Sequence, residues 1–195
     1  MVRMSSVDST APTFNLHASL LMDLAKRSVQ SRVLENQSLQ INLEELPQPL
    51  VEPRATFVTL HIHNQLRGCI GTLNAHQALA QDVIDNAESA AVRDPRFNPV
   101  TPQEIHDLHY HISVLTPPEP MIFKNEADLL DQIVAGIDGL ILTEGPYRGT
   151  FLPSVWESLP AKNDFLNHLK RKAGLPSTYW SDTLTVSRYR TESIT

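Results

Sequence analysis

One short stretch of the chain combines residues that few folded structures accommodate together. Residues 66–73 read Leu-Arg-Gly-Cys-Ile-Gly-Thr-Leu, with the single cysteine and two of the seven glycines. Their alternation predicts a strand, although glycine inside a strand costs roughly 0.5–1 kcal/mol. The glycines beside Cys69 therefore indicate either a close backbone approach or open space before the thiol. Strict alternation puts Arg67, Cys69 and Gly71 on one face, like the lining of a pocket, and Leu66 on the other.

The composition limits the classes of protein to which the chain can belong. Its 195 residues suffice for one sizeable domain, or two small lobes that share a core. A net charge of −6 disfavours binding to nucleic acid or to an anionic membrane surface. We expect residues 1–13 to be a disordered lead-in without a secretion signal, and residues 14–195 to form a single domain. One cysteine and the lack of long apolar runs fit a cytoplasmic protein.

The first half of the chain predicts two helices and a β-hairpin. Apolar spacing predicts a helix over residues 13–34, whereas the prolines of 46–53 predict an extended loop. A strand over 56–62 precedes a turn near Asn64, and the glycine-bearing strand returns beside it. A second amphipathic helix over 77–92, a helix start at 101–104 and a strand over 108–115 complete this half.

The second half repeats this order after a short helix over 126–134. A hairpin of 140–143 and 147–152 precedes a helix over 163–173 and a strand over 184–189. Both return strands carry Arg-Gly, at Arg67 and Arg148. The repetition is either coincidence or an internal duplication that places the two arginines comparably. In both cases the pattern predicts an α+β fold of mainly antiparallel strands rather than a doubly wound sheet.

Cys69 is the first candidate for chemistry. A neighbouring cation favours the thiolate, and Arg67 lies two residues away on the same predicted face. The functional hypothesis is a reactive or ligand-contacting thiol, and several histidines could serve as its base. The structural alternative is a small buried apolar side chain, which is the commonest role of a free cysteine.

Two pairs of histidines alternate along predicted strands. His61 with His63, and His109 with His111, each present two imidazoles to one face and could bind Zn²⁺ or Fe²⁺. A pair supplies only two ligands and no acidic residue stands at a diagnostic spacing, so solvent-facing positions explain them as well. We therefore predict no metal site, and no phosphate-binding or dinucleotide-binding motif predicts a cofactor.

The turn after the second helix carries opposite charges beside an aromatic ring. Asp94 and Arg96 in the run Arg-Asp-Pro-Arg-Phe could simply end the helix through a mutual hydrogen bond. Alternatively, Arg96 could bind an anionic group of a ligand through both arms of its guanidinium.

The Leu-Arg-Gly-Cys-Ile-Gly run resembles the signature of the AMMECR-type domain family, called AmmeMemoRadiSam system protein A in microbes. The similarity extends from about Leu16 to Tyr189. Further segments that are similar to the family are Phe57-Val58-Thr59-Leu60, Arg93-Asp94-Pro95-Arg96-Phe97, Ser113-Val114-Leu115-Thr116-Pro117, Asp138-Gly139-Leu140, Gly149-Thr150-Phe151-Leu152-Pro153, residues 168–175 and Tyr179-Trp180. His111 departs from the family, because an acidic residue is associated with its position.

The resemblance implies a two-lobed AMMECR-like fold in which the signature strand faces a cleft. It also implies partners, since microbial members are linked with a radical S-adenosylmethionine enzyme and a Memo-type, dioxygenase-like protein. It supplies no settled activity. Our leading hypothesis is a ligand- or protein-binding component of that system, and the alternative is an enzyme with Cys69 as nucleophile and Arg67 as activating cation. The predicted binding residues are Arg67, Gly68, Gly71, Asp94, Arg96 and Arg148.

Overall fold

The computed structural model describes residues 16–195, in which helices and antiparallel strands form an α+β fold. The α-helices are α1 (Ala18–Gln30), α2 (Gln48–Val51), α3 (Leu79–Val92), α4 (Glu126–Gln132) and α5 (Lys162–Lys172). The strands are β1 (Thr56–Ile62), β2 (Gln65–Gly71), β3 (His109–Leu115), β4 (Glu119–Pro120), β5 (Gly139–Glu144), β6 (Tyr147–Phe151), β7 (Thr185–Tyr189) and β8 (Thr191–Ile194). The predicted lead-in of residues 1–13 lies outside the described residues.

The described chain divides into two compact units. The first comprises residues 16–112 with 194–195, and the second comprises residues 113–193. The strands form two four-stranded sheets, in the orders β2-β1-β3-β8 and β4-β7-β5-β6. No helix among residues 16–195 is long and apolar enough to cross a membrane.

The core of the first unit lies between its sheet and two helices. α1 packs against α3, and α3 packs against β1 and β2. Every second residue of β1 is buried, from Thr56 to Leu60, because alternate side chains of a strand point to the same side. The outward residues of β1, from Phe57 to His61, stay partly exposed. This arrangement fixes the β1–β2 hairpin, which contains the signature strand, against α3.

The second unit has its own apolar core around α5. Trp156 stacks on Phe165 with ring centroids 3.7 Å apart, and Phe151 meets the same ring edge-on at 5.2 Å. The indole N–H of Trp156 donates to the carbonyl of Asp138 at 2.8 Å, which satisfies the polar atom of a buried ring. α5 ends at Lys172, and Gly174 just beyond it has a φ of 90°, the left-handed conformation of the helix stop that the sequence predicts.

The two units repeat one strand order. The hairpin β1–β2 is followed by α3 and by β3, which lies beside β1 in its sheet. The hairpin β5–β6 is followed by α5 and by β7, which lies beside β5 in its own sheet. In both sheets the Arg-Gly strand therefore occupies the edge. This shared topology supports the duplication that the sequence left open.

The structure corrects several predicted elements. The loop predicted for 46–53 contains the short helix α2, because Pro49 lies in its first turn, where a missing N–H is tolerated. The first helix is α-helical only to Gln30 and continues as a π-helical turn, Ser31–Glu35, which ends at Asn36 in the left-handed region. Short strands β4 and β8 were not predicted, because two to four residues carry too little alternation.

The hairpin turn confirms one prediction and extends it. β1 ends at Ile62 and β2 begins at Gln65, so only His63 and Asn64 form the turn. Their φ angles are 51° and 62°, the left-handed values that a two-residue turn between antiparallel strands requires. Asn64 suits this conformation because its short polar side chain tolerates it.

Candidate functional site

Cys69 lies in the middle of β2, on the edge of the first sheet. Its strand partner is Thr59 on β1, whose hydroxyl donates to the Cys69 Sγ atom at 3.2 Å. The thiol is free and only partly buried. Thr59 is a contact that the sequence analysis missed, although opposite residues of a hairpin are readable once the register is known.

A β-bulge separates Arg67 from the regular pairing of the hairpin. Leu60 pairs with Gly68 and His61 pairs with Leu66, so Arg67 is the extra residue. The strict alternation that predicted Leu66 on the face opposite Cys69 is therefore wrong, since Leu66 pairs with His61 on the face that Thr59 and Cys69 share. A bulge re-aims side chains in this way.

The glycines of β2 allow close contacts rather than open space in front of the thiol. A Cβ atom on Gly68 would collide with the carbonyl oxygen of Ala90 and stand 3.0 Å from its carbonyl carbon. A Cβ atom on Gly71 would overlap the ring of Phe57 and stand 2.5 Å from the carbonyl oxygen of Thr56. Of the two explanations that the sequence allowed, close approach is correct. Gly149 has the same role in the second unit, where a Cβ atom would stand 2.9 Å from the backbone nitrogen of Ala173.

Asp94 and Arg96 form a rigid frame on the backbone of Cys69. Asp94 Oδ2 accepts from the Cys69 N–H at 2.8 Å and from Arg96 Nη2 at 2.6 Å. Asp94 Oδ1 accepts from Arg96 Nε at 2.9 Å and from the Arg96 N–H at 3.1 Å. Arg96 Nη2 also donates to the Cys69 carbonyl at 3.3 Å. The turn after α3 thus brings Cys69, Asp94 and Arg96 together. The mutual hydrogen bond between Asp94 and Arg96 is the one that the helix-ending interpretation expects, and binding of an anionic ligand by Arg96 stays a prediction.

Arg67 belongs to a second frame beside the first. Its Nε and Nη2 atoms donate to the two carboxylate oxygens of Glu104 at 2.7 and 3.1 Å. Its guanidinium also donates to the carbonyls of Asn98 and Pro99 at 2.9 and 3.3 Å. Glu104 in turn accepts from the backbone N–H of Thr101 at 2.7 Å, as a capping box requires. The guanidinium that contacts Cys69 is therefore that of Arg96.

Electrostatics hold both frames in their charged forms. The hydrogen bonds from Arg96 keep the pKa of Asp94 well below its usual range, against the opposing effect of burial. Asp94 raises the pKa of Arg96, and the Cys69 side chain raises it by a smaller amount. The guanidinium of Arg67 lowers the pKa of Glu104 to about 2. The Asp94 side chain is 2 % exposed and that of Arg96 is 53 % exposed, so the acid is hidden and the cation faces outward.

Three of the histidines line one cavity of the first unit, near the hairpin turn. A cavity of about 510 Å³ is lined there by Met22, Lys26, His61, Asn64, Leu108, His109, Tyr110, His111 and Thr195. Burial lowers the pKa of His111, and the neighbouring His61 lowers it further. Among residues 16–195, no cluster of three or more His, Cys, Asp or Glu side chains could hold a metal ion.

Beneath the hairpin lies a buried polar network that the sequence analysis overlooked. Asp82 on α3 is fully buried and accepts from the backbone N–H and the hydroxyl of Thr56 at 2.8 and 2.7 Å. Asn86 donates to the same carboxylate at 3.0 Å, and the hydroxyl of Thr72 donates at 2.8 Å. Polar residues four apart inside the apolar stripe of α3 were the available signal. The network fastens the open end of the β1–β2 hairpin, where β1 begins and β2 ends, to α3.

Arg148 is the predicted site residue that lies outside this group. It is exposed on β6 in the second unit and pairs across the strands with Thr143. Arg67, Gly68, Cys69, Gly71, Asp94 and Arg96 all belong to the first unit.

Proteins with sequences and structures similar to this chain are known. A curated protein from Methanothermobacter thermautotrophicus is 36% identical over 177 residues, which covers 88% of this chain and 90% of that protein. A curated protein from Thermotoga maritima is 40% identical over 152 residues, which covers 76% of this chain and 82% of that protein. The crystal structure of an uncharacterized protein from Pyrococcus horikoshii is similar to this structure, with a TM-score of 0.80 and 33% sequence identity. The similarity covers 90% of this chain and 89% of that protein's chain.

The family comparison agrees with these relatives and with the signature in β2. The model of the AMMECR1 family matches residues 22–194, which is most of both units. The chain belongs to the AMMECR1 family.

Proposed function

We propose that this protein is a cytoplasmic binding component without turnover of its own, and that it acts with a radical S-adenosylmethionine enzyme and a Memo-type protein. The partners are those that the family resemblance implies. The surface proposed to bind them, or a ligand that they share, consists of Cys69 and Arg96 supported by Asp94, Arg67 and Glu104.

The observation that carries this proposal is the pairing of both carboxylates beside Cys69. Asp94 is saturated by four hydrogen bonds, and both carboxylate oxygens of Glu104 are bound by Arg67. The hydroxyl of Thr59 donates to the thiol instead of accepting its proton. Among residues 16–195, no histidine or carboxylate accepts a hydrogen bond from the thiol. A general base must lie within hydrogen-bond reach of the proton that it removes.

The frame instead presents one cation in a fixed position. Arg96 uses Nε and Nη2 for Asp94 and Cys69, its Nη1 atom bonds none of the described residues, and the side chain is 53 % exposed. A guanidinium that is already oriented loses little side-chain entropy on binding. Such a group suits recognition of a carboxylate or phosphate on a partner or a ligand.

Co-purification under anaerobic conditions tests the proposal. The tagged protein is co-expressed with the radical enzyme and the Memo-type protein, and the retained amount of each partner is measured. We expect Arg96→Ala to reduce retention at least about tenfold, as loss of a charge-assisted hydrogen-bond pair at an interface would. Arg171→Ala, which removes an exposed arginine of α5 in the second unit, is the matched control and should retain both partners.

Cys69→Ser separates binding from catalysis. Cys69 enters the frame through its backbone N–H and carbonyl, which serine keeps, so association should persist under the binding proposal. Failure of the wild-type protein to retain either partner, or equal retention by Arg96→Ala and wild type, would contradict the proposal.

A second candidate function is an enzyme with Cys69 as nucleophile, which one observation favours. The thiol is partly exposed, and its Sγ atom accepts a hydrogen bond from the Thr59 hydroxyl at 3.2 Å. This contact would stabilise a thiolate. The sequence assigned the activating cation to Arg67, but its guanidinium is bound to Glu104, and Arg96 takes that place in this alternative. It predicts that Cys69 alkylation by iodoacetamide at pH 7 exceeds that of free cysteine and falls in Thr59→Val. An equal or slower rate than that of free cysteine excludes it.

A further inference from the structure

A second cavity of the first unit lies at the end of α1 and carries two arginines. Its volume is about 410 Å³, within the range of small-molecule sites. The lining residues are Arg32, Val33, Asn36, Val92, Arg93, Pro99 and Val100. Among these described residues there is no carboxylate, and four of them are apolar.

Both guanidinium groups of this cavity share one carboxylate. Arg32 Nη2 lies 2.7 Å from Glu88 Oε1, and Arg93 Nη2 lies 3.2 Å from the same oxygen. The Glu88 side chain is 6 % exposed, whereas that of Arg93 is 65 % exposed. One guanidinium would neutralise this buried acid, so the pair leaves an excess positive charge beside an apolar wall.

The hydrogen bonds of Arg32 are incomplete. Its Nη2 atom donates to the Ser38 hydroxyl at 2.6 Å as well as to Glu88. Its Nη1 atom donates to the carbonyl and side-chain oxygens of Asn36 at 3.3 and 3.4 Å, which is long for such bonds, and its buried Nε atom has no hydrogen-bond partner. A buried donor without a partner costs free energy, and an anion that reorients the guanidinium would recover it. Arg32 lies in the π-helical turn of residues 31–35, a rare geometry that occurs frequently at functional sites.

We propose that this cavity binds a small monocarboxylate with a short apolar chain. The carboxylate would lie between Arg32 and Arg93, in the bidentate geometry that guanidinium groups favour, and the chain would contact Val33, Val92 and Val100. This ligand class follows from the excess charge and the apolar wall together. The proposal does not depend on the function proposed for the Cys69 site, because none of these contacts involves Cys69 or Arg96.

An NMR titration with sodium hexanoate tests this site. The ¹⁵N-labelled full-length protein is titrated with hexanoate, with the uncharged hexanamide and with sodium phosphate. We expect saturable shifts for the amides of Val33, Val92 and Val100 with hexanoate alone. Equal affinity for hexanamide would overturn the role of the charge, and equal affinity for phosphate would overturn that of the apolar wall.

The arginine variants distinguish this site from non-specific binding. Arg93→Gln leaves Arg32 to neutralise Glu88 and changes a mostly exposed side chain, so we expect a folded protein that binds hexanoate about tenfold more weakly. Arg27→Gln removes an arginine of α1 that pairs with Asp23 outside the cavity, and it should bind as wild type does. No saturable binding by the wild type, or equal weakening in both variants, would overturn the proposal.

Discussion

The Asp94 side chain joins two parts of the candidate site. Its carboxylate binds the backbone of β2 through the Cys69 N–H and the turn after α3 through Arg96. Both oxygens act only as acceptors, and the side chain is 2 % exposed. A buried acceptor that faces four donors requires a charged carboxylate, because an amide would turn its own N–H₂ group towards two of them.

We therefore predict that Asp94→Asn destabilises the protein by roughly 2 kcal/mol, as expected for losing hydrogen bonds to charged groups. The free energy of unfolding from urea titration measures this loss. Asp107→Asn, an exposed change near the end of the same connecting segment, should stay within about 0.5 kcal/mol of wild type. Equal stability of the two variants would show that the frame around Cys69 contributes nothing to folding.

Strand β2 packs directly against helix α3. Gly68 lets the strand approach the last turns of α3 so closely that a Cβ atom would collide with the carbonyl of Ala90. Backbone atoms cannot move aside as a flexible side chain can, so relief requires the helix or the strand to shift. The Asp82 network fixes the other end of α3 to β1, which opposes such a shift.

Gly68→Ala is accordingly predicted to lower the free energy of unfolding by about 3 kcal/mol or more, or to prevent folding. Gly145→Ala is the comparison, because its φ is 53° and nothing lies within 4 Å of the added methyl group. Left-handed backbone alone costs alanine roughly 1–2 kcal/mol. Urea unfolding of both variants ranks the two costs, and an equal or smaller loss for Gly68→Ala would refute the close approach.

Helices and strands that are long enough to show a repeating pattern of apolar residues were predictable from the sequence. The strand over 56–62 has the predicted bounds, and the helix predicted over 77–92 forms as α3 from Leu79. The bulge at Arg67 and the π-helical turn after Gln30 were not predictable, because each is a local irregularity of a few residues that an assumed regular period passes over.

The candidate site was predictable only in part, for a related reason. Asp94 and Arg96 are two residues apart, so their pairing could be read locally. Arg67 and Glu104 are 37 residues apart, and their contact depends on how the 3₁₀ turn Pro102–Asp107 sits beside β2. A motif indicates which residues share a surface, whereas the partners of each charge follow only from the tertiary structure.

The paired carboxylates make the stability of the whole protein depend on pH. Arg67 lowers the pKa of Glu104 to about 2, and Arg96 holds that of Asp94 well below its usual range. In the unfolded chain both groups take up protons near pH 4. A depressed native pKa contributes stability that is complete above the unfolded pKa and is lost as pH falls towards the native value. The window in which Glu104 acts is therefore about pH 5 down to about pH 2.

Glu104→Gln isolates this contribution, because the amide keeps the shape of the side chain and removes its titration. We predict that wild type is the more stable protein at pH 7 and that its advantage shrinks by about 1 kcal/mol between pH 5 and pH 3, after allowance for solvent screening. Urea unfolding at pH 7, 5, 4 and 3 measures both curves. Glu157→Gln, at an exposed position, should run parallel to wild type. If the Glu104→Gln curve were parallel as well, the ion pair with Arg67 would contribute nothing, and acid loss of stability would rest on Asp94 and the remaining carboxylates.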